Sequence, residues 1–369
     1  MKLTIGQEEF ITGLQAVQNV VSSRSTLPIL ANVLLRTEGQ NLVLTATDLD
    51  VTITKKVKAS VEVDGKITLP VKKLHDIARE TGGNQLTMEL NGDSCRIESG
   101  AFSTRLNGLP AEEFPPLQEI ESEINLKLEQ KKIKSMLKRT VYAASNDENR
   151  YVLNGLYFSV KERKLTMVAT DGRRLALSEE EVEQETEEST EIIVPTKAVQ
   201  EVNRLLGEEG AVEIKITENQ ASFSAEDKEG QTTVQIVTKL VEGTYPNYKQ
   251  VIPAESKHRI SMDKEELLHA IKRASIMTSE KANSVKLRFS ENNLLLTSNT
   301  PEVGESKETM AINYSGEETS IAFNPQFFID PLTSLEEEEI YFEFTDQLSP
   351  GVIKVKQPFL YVIMPMRTT

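Results

Sequence analysis

The chain has 369 residues, of which 38% are hydrophobic and 27% charged, and its formal net charge is −15. This length is enough for two or three domains with sizeable cores, and no apolar run approaches the roughly 18 residues that a membrane helix needs. The first ten residues contain acidic side chains where a signal peptide would be apolar, so we expect no signal peptide and no membrane partner. A single cysteine, Cys95, excludes an internal disulfide and suits a reducing cytoplasm.

A short strand followed by an amphipathic helix is predicted at three places. Leu3 and Ile5 alternate with Thr4, and residues 7–21 then carry apolar side chains at helical spacing. The same succession returns at residues 126–141 and again at 260–274. One strand–helix pattern therefore occurs three times.

A strand that ends in a tight turn also recurs. Residues 42–47 read LVLTAT, residues 165–170 read LTMVAT and residues 294–299 read LLLTSN. The alternation in the second copy is typical of a half-buried strand. Asp171-Gly172 is a turn dipeptide, because glycine tolerates positive φ and aspartate bonds its own backbone. Arg173 and Arg174 are then expected at the end of the turn, partly exposed.

A third recurring element is an apolar strand that ends near a proline and leads into a helix. It occurs at residues 66–77, 191–202 and 319–332, and proline suits the first turn of a helix, where its missing N–H costs nothing. All three elements repeat in the same order at intervals of about 125 residues. The sequence therefore predicts an α+β fold of three tandem similar domains, each with two helices and antiparallel sheets, over residues 1–120, 125–250 and 254–369.

Basic side chains are concentrated on the predicted helices although the whole chain is acidic. Lys131, Lys134 and Lys138 share one helical face, which Lys132 and Arg139 widen. Corresponding helices add Lys72, Lys73, Arg79, Lys197, Arg204, His269, Lys272 and Arg273. This distribution predicts a basic surface for sequence-blind phosphate contact, although the first helix has no lysine or arginine. The acidic runs at 179–191 and 336–339 are interpreted as solvated loops or faces.

Several short motifs together resemble the bacterial DNA polymerase III beta subunit family, over essentially the whole chain. They are Arg24 with LPIL at 27–30, LNG at 153–155, ATDG at 169–172 with Arg174-Leu175, GTYP at 243–246, Phe323-Asn324 and VIMPMR at 362–367. The resemblance implies a DNA clamp fold and a head-to-tail homodimer, a ring of six domains around double-stranded DNA. It implies a non-catalytic, cytoplasmic and nucleoid-associated processivity factor with no cofactor, metal or catalytic residue.

The resemblance also implies three sets of site residues. Short peptides of the DNA polymerase III alpha subunit, the clamp loader, and repair and translesion polymerases would bind a pocket formed by Leu153, Thr170, Gly172, Arg173, Arg174, Leu175, Pro246, Val251, Asn324, Phe327, Val362, Met364, Pro365 and Met366. DNA contacts carry over as Arg24, Lys72, Lys73, Arg79, Arg150, Tyr151 and Lys197, and the basic helix face adds Lys131, Lys134 and Lys138. The dimer contact would involve Thr104 and Leu106 on one side and Ile276 and Met277 on the other.

Four positions depart from the family pattern. Val152 stands where a second tyrosine can follow Tyr151, and Gln250 replaces a basic residue at the pocket rim. Thr104 replaces an aromatic residue at the dimer contact. Pro331 is expected to kink or shorten the helix after Asn324.

Two other classes of protein compete with this interpretation. A metal-dependent enzyme could use Asp48 and Asp171, but Thr300 occupies the matching position of the third repeat, so both aspartates are interpreted as turn residues. A modular binding protein of another kind, such as an envelope repeat protein, is disfavoured by the basic helices and by the lack of a signal peptide.

Overall fold

The structure is a computed structural model that describes residues 1–21, 27–117, 120–122, 124–279 and 283–367, with the side chains of 183–188 excepted. Arg24, one of the predicted DNA contacts, lies outside the described residues. Within the described part, the six α-helices are α1 (Gln7–Gln18), α2 (Val71–Glu80), α3 (Gln130–Thr140), α4 (Thr196–Leu205), α5 (Lys264–Ser275) and α6 (Gln326–Ser334). None of these helices is long and apolar enough to cross a membrane.

More of the described residues lie in strands than in helices. In chain order they are β1 (Lys2–Gly6), β2 (Asn32–Thr37), β3 (Asn41–Thr47), β4 (Val51–Lys58), β5 (Ser60–Val63), β6 (Lys66–Pro70), β7 (Gln85–Asn91), β8 (Ser94–Ser99), β9 (Phe102–Asn107), β10 (Ile124–Glu129), β11 (Gly155–Thr170), β12 (Arg174–Pro195), β13 (Ala211–Ile216), β14 (Gln220–Glu226), β15 (Thr232–Lys239), β16 (His258–Asp263), β17 (Val285–Ser290), β18 (Asn293–Thr300), β19 (Gly304–Ala311), β20 (Thr319–Phe323), β21 (Glu339–Phe344), β22 (Gly351–Lys354) and β23 (Phe359–Ile363).

The threefold succession of strand and helix is confirmed. β1, β10 and β16 lead into α1, α3 and α5, and β6, β12 and β20 precede α2, α4 and α6. The first helix ends at Gln18, before Val21, and it buries the predicted apolar residues Phe10, Leu14 and Val17 completely. Helical periodicity located these helices correctly, because each hides one apolar stripe.

One compact unit consists of Met1–Lys134 and Gln200–Leu240. It contains an antiparallel five-stranded sheet in the order β5-β1-β7-β8-β9 and an antiparallel eight-stranded sheet in the order β10-β13-β14-β15-β4-β3-β2-β6. Ile236 of β15 pairs with Ile53 of β4, so the larger sheet continues from strands of the first repeat into strands of the second.

The other compact unit consists of Ser135–Val199 and Val241–Thr369. It contains an antiparallel six-stranded sheet in the order β11-β12-β23-β22-β21-β16 and a four-stranded sheet in the order β19-β18-β17-β20. Here β12 of the second repeat pairs with β23 of the third, with Arg174 opposite Ile363. Strands of two successive repeats therefore share a sheet within this unit also.

The hairpin of β11 and β12 is more deeply buried than its sequence predicts. Residues 165–170 are all buried, whereas the alternating pattern predicted a half-buried strand. Val168 packs into a cluster with Leu153, Tyr157 and Leu175, and the 3₁₀ turn Val141–Ala143 packs against β11. Because threonine is small and can satisfy its hydroxyl locally, Thr166 and Thr170 are tolerated in this buried strand.

Pro331, which is expected from its residue type to kink or shorten the helix after Asn324, lies inside α6. Helix α6 continues through Pro331 to Ser334 and has nine residues, against ten in each of α2 and α4. The backbone N–H of Leu335 donates to the Pro331 carbonyl at 3.0 Å. The proline therefore lies inside the helix, which is one residue shorter than its two counterparts.

Candidate functional site

The turn between β11 and β12 is held by the Asp171 carboxylate. Its Oδ1 accepts the backbone N–H groups of Arg173 (2.9 Å) and Arg174 (3.1 Å), while Gly172 has a φ of 84°. The Thr170 hydroxyl donates to the Arg174 carbonyl at 2.6 Å. Asp171 is thus a turn residue, as the sequence predicted, and its Oδ1 is occupied by the backbone.

Asp48 has the same role in the turn between β3 and β4. Its Oδ1 accepts the backbone N–H groups of Asp50 (3.0 Å) and Val51 (2.8 Å). No group of three or more potential metal-binding side chains of the His, Cys, Asp or Glu type occurs in the described part of the chain. Both aspartates shape hairpins.

The C-terminal segment lies beside the turn at Asp171. The backbone N–H of Met364 donates to the Arg173 carbonyl at 2.9 Å, and that of Met366 donates to the Ala322 carbonyl at 2.7 Å. Leu175 and Val362 are paired across β12 and β23 and are both buried. Residues 363–366 therefore run from the hairpin turn to the end of β20.

The beginning of α6 lies beside Arg174. The Asn324 side-chain oxygen accepts the backbone N–H of Gln326 at 2.9 Å, and the ring of Phe327 lies 4.7 Å from the Arg174 guanidinium carbon. The side chain of Arg174 is 11% exposed and forms ion pairs with Asp171 and Asp330. Arg174 is therefore partly exposed, as predicted, and its ion pairs hold the guanidinium against the protein, whereas Arg173 is exposed.

A hydrophobic cluster includes residues of the β11–β12 hairpin and of β23. It consists of Leu153, Tyr157, Val168, Leu175, Ile193, Tyr245 and Val362. Tyr157 and Tyr245 stack with ring centroids 5.2 Å apart. Burial raises the pKa of Tyr157 to about 12 and raises the pKa of Tyr245 also. Both phenols are neutral at pH 7, so the cluster is uncharged.

A cavity of about 420 Å³ opens next to the C-terminal segment. Of the predicted pocket residues, Val251 and Met364 line it, and both are exposed, by 47% and 40%. Sequence reasoning missed the remaining lining residues, which are Gln250 (noted only at the rim), Ile252, Pro253, Glu255, Thr345, Ser349 and Pro350. These residues belong to connecting segments without periodicity, so no sequence signal marked them.

We use the name C-terminal groove for the surface formed by residues 170–175, 246–253, 324–327 and 362–366. Its walls join at the hydrogen bonds from Met364 and Met366, and its apolar side chains are those of Val251, Phe327, Met364 and Met366. A cavity of this size with apolar walls and a few polar groups suits a short peptide or another small ligand. Methionine adapts to ligands of several shapes.

The basic face of α3 is partly neutralised. Lys131 and Lys138 are exposed, and Lys134 is 31% exposed. Lys134 pairs with Glu208 at 2.7 Å, and Lys138 lies 3.9 Å from Glu336. Each contact is at the surface, where an ion pair is weak and a phosphate can compete for the lysine.

Two arginines expected on the basic surface have other roles. Arg139 is only 11% exposed and pairs with Glu337 at 2.7 Å, so it does not widen the basic face, and the acidic run at 336–339 is not simply solvated. Arg204 donates to the carbonyls of Gln15 and Ala16 at the end of α1. A guanidinium there satisfies carbonyls that have no partner within the helix.

Other predicted DNA contacts lie on the surface. Lys72, Lys73 and Arg79 are exposed on α2, and Lys197 is exposed on α4. Arg79 also contacts Asp76 and Glu80, at 4.0 and 3.0 Å. On α5, Lys272 is exposed, His269 lies 3.7 Å from Glu265, and Arg273 pairs with Glu308.

Arg150 and Tyr151 belong to a 3₁₀ segment, Glu148–Leu153, next to the hairpin turn. The Arg150 guanidinium donates to the Asp171 carbonyl at 3.2 Å, and Tyr151 is 59% exposed. Val152 is half-buried against the hydrophobic cluster. At this position, where the family pattern can have a second tyrosine, the chain therefore has a valine that packs against the hydrophobic cluster.

The predicted dimer residues lie at two sheet edges. Thr104 and Leu106 are on β9, the last strand of the five-stranded sheet. Ile276 and Met277 follow α5; Ile276 is 67% exposed, and the sulfur of Met277 lies close to Gly304, the first residue of edge strand β19. Each edge strand presents backbone groups that a second sheet could pair with.

Comparison with known proteins agrees with this description. Models of the N-terminal, central and C-terminal domains of the DNA polymerase III beta subunit match residues 1–118, 127–247 and 249–367. The beta sliding clamp of Chlamydia pneumoniae is 35% identical over 368 residues, which cover 100% of this chain and 99% of that protein. That of Pseudomonas putida is 32% identical, with both chains fully covered.

Solved structures give the same result. The DnaN sliding clamp of Pseudomonas aeruginosa, bound to griselimycin, superposes with a TM-score of 0.93 at 32% identity, and 100% of each chain is covered. The DNA polymerase sliding clamp of Bacillus subtilis gives a TM-score of 0.93 at 30% identity, again with full coverage of both chains.

Three tandem α+β domains of one design, with helices and antiparallel sheets in each, define a protein of the clamp fold. The chain belongs to the DNA polymerase III beta subunit family, the bacterial sliding clamps. Members of this family are non-catalytic processivity factors of DNA replication, which work as rings on DNA and bind polymerase III and other clients. This confirms the fold class and the function predicted from the repeat and its motifs.

Proposed function

We propose that the C-terminal groove is the site at which this clamp holds its clients. The observation that carries the proposal is the cavity of about 420 Å³ that opens between exposed Val251 and Met364. An extended peptide with leucine or phenylalanine anchors would bury those apolar side chains in the groove. The clients are the DNA polymerase III alpha subunit, the clamp loader, and repair and translesion polymerases. The proposed contacts are the fourteen pocket residues named from the resemblance.

We propose that the exposed lysines and arginines of the helices contact the DNA backbone. Lys131, Lys134 and Lys138 supply the basic face of α3. The other proposed contacts are Arg24, Lys72, Lys73, Arg79, Arg150, Tyr151 and Lys197. The described surface pairs of Lys134 and Lys138 are exchangeable, because an exposed ion pair contributes little to stability. Such contacts are independent of sequence and fall with salt, which lets a ring slide.

The proposed assembly is a head-to-tail homodimer. Edge strands β9 and β19, with Thr104, Leu106, Ile276 and Met277, are the two surfaces that would meet between subunits. A heterologous contact of this kind closes into a ring when the rotation between subunits allows it. We further propose the three-domain division at 1–120, 125–250 and 254–369, giving six domains in the ring, and a cytoplasmic, nucleoid-associated location.

Retention on circular DNA tests this function directly. The protein is loaded by a clamp loader onto nicked circular plasmid, and the complex is passed through a gel-filtration column at moderate salt before and after the plasmid is cut once. A topological link predicts that the protein stays on circles and leaves linear DNA through its ends. Equal loss from both forms would show an ordinary salt-sensitive contact and contradict the encircling role.

A further inference from the structure

The Arg174 side chain is committed to partners within the chain. Its Nε donates to Asp171 at 3.1 Å, its Nη1 donates to Asp330, and its Nη2 donates to the backbone carbonyl of Tyr142. Each of the three guanidinium nitrogens therefore has an oxygen partner. Arg174 offers a ligand the face of its guanidinium and no nitrogen that lacks a partner.

Asp330 fixes where that guanidinium lies. It is on α6, three residues after Phe327, and its side chain is 20% exposed. One carboxylate oxygen binds Arg174, and the other accepts a hydrogen bond from the side-chain amide of Gln326. The guanidinium carbon then lies 4.7 Å from the centre of the Phe327 ring. Asp330 thus positions both Phe327 and Arg174, since it lies on the same helix as Phe327 and forms an ion pair with Arg174.

The net charge beside Phe327 is not the positive charge that the consecutive residues Arg173 and Arg174 suggest. Asp171 and Asp330 contribute two carboxylates against the guanidinium of Arg174. The neighbouring Arg150, which donates to the Asp171 carbonyl, is itself paired with Asp147 at 3.6 Å, so these five side chains together have a formal charge of −1. Arg173 is exposed and stands outside the group. An acidic side chain of a ligand placed at Phe327 would be desolvated beside a net negative charge, which disfavours binding.

We propose that Asp330 is a positioning residue of the C-terminal groove, which acts through Arg174 to make the Phe327 wall reject acidic side chains of a bound client segment. This inference rests on the proposed peptide-binding role of the groove. The client segment it describes is extended, with uncharged residues where it meets Phe327. Asp330 itself selects the ligand by fixing Arg174 and by contributing the excess carboxylate.

The test uses the full-length protein and a set of fluorescent peptides. The parent peptide is a short extended segment with leucine and phenylalanine anchors and glutamine at its other positions, and each glutamine is replaced in turn by glutamate. Fluorescence anisotropy gives the Kd of every peptide for the wild type, for Asp330→Asn and for Asp330→Glu. Glu318→Gln is the matched control, because it removes another carboxylate partner of an arginine, Arg288, at 2.8 Å.

At one peptide position or more, glutamate is expected to weaken binding to the wild type about tenfold relative to glutamine. Asp330→Asn should reduce that discrimination at least about threefold at the same position, and Asp330→Glu should restore it, while Glu318→Gln leaves it unchanged. An equal change for all peptides, or no change, overturns the inference while the groove still binds peptide. Failure of the wild type to bind any peptide overturns the peptide-binding role, and the inference with it.

Discussion

The guanidinium of Arg139 and the carboxylate of Glu337 form an ion pair of 2.7 Å in which the side chains are only 11% and 18% exposed. It connects the last turn of α3 to the segment between α6 and β21. A buried ion pair adds little over an apolar contact, but the removal of one partner leaves the other charge without compensation. This ion pair therefore matters to stability mainly because the loss of either side chain leaves the other charge unpaired.

Glu337→Ala is expected to destabilise the protein by about 2–4 kcal/mol, since it leaves the Arg139 charge mostly buried and unpaired. The free energy of unfolding in urea measures the effect. Glu318→Ala breaks an ion pair of similar length at the surface, with Arg288, and should leave the midpoint unchanged. Equal effects of the two substitutions would contradict the distinction.

The triple substitution of Lys131, Lys134 and Lys138 to Glu should weaken retention on DNA, because it reverses the charge of the exposed face of α3. The dimer should persist in sedimentation experiments. Lys56, Lys58 and Lys228, which are exposed on strands and a loop, provide a control with the same change in net charge. Unchanged retention of the α3 variant on circular plasmid would remove the helix from the DNA surface.

Deletion of residues 364–369 should raise the Kd for a client peptide by at least about tenfold, since it removes both methionines that border the groove. It also removes the hydrogen bonds of Met364 to Arg173 and of Met366 to Ala322. Deletion of residues 367–369 alone keeps those contacts and should bind peptide normally. Normal anisotropy titration of the longer deletion would disprove the assignment of the groove.

Ile276→Arg should weaken the dimer, because it places a charge on a side chain that is 67% exposed next to the edge strand β19. Analytical ultracentrifugation over a range of concentrations measures the dissociation constant. Val63→Arg is the matched control: Val63 is 54% exposed on β5, the opposite edge strand of the five-stranded sheet. A dimer as stable as the wild type would place the contact elsewhere.

Cys95 predicts a loss of stability at alkaline pH. Burial raises the pKa of its thiol from 9.0 to about 11, so the folded state keeps a proton that the unfolded state releases. Stability is complete below pH 9 and declines between about pH 9 and 11, by up to about 2–3 kcal/mol. Urea midpoints across this range should fall less steeply for Cys95→Ala. Parallel pH profiles would exclude the thiol as the cause.

The sequence predicted the elements with local or repeated signals. Helical periodicity located α1 through Phe10 and Leu14, and the aspartate that follows the first two strand patterns marked the turns at Asp48 and Asp171. Each of these signals is complete within about ten residues, and their repetition along the chain distinguished them from chance.

Partners that are distant in sequence could not be predicted in the same way. The guanidinium of Arg174 is paired with Asp330, which lies 156 residues away, and Arg204 binds carbonyls at the end of α1. A charged residue gives the same sequence signal whether it faces solvent or a distant partner. The cavity beside Val251 is likewise formed by loops, whose contacts are set by the strands that position them.

The pairing of β4 with β15 has a consequence for a chain in which the repeats are separated. A chain cut near residue 120 would keep β4 but lose β15. The eight residues Val51–Lys58 would then be an edge strand with unpaired backbone groups along one border. Such a border invites association with other chains. The first repeat alone is therefore an aggregation hazard, whereas loss of the third repeat would instead leave β12 without its partner strand β23.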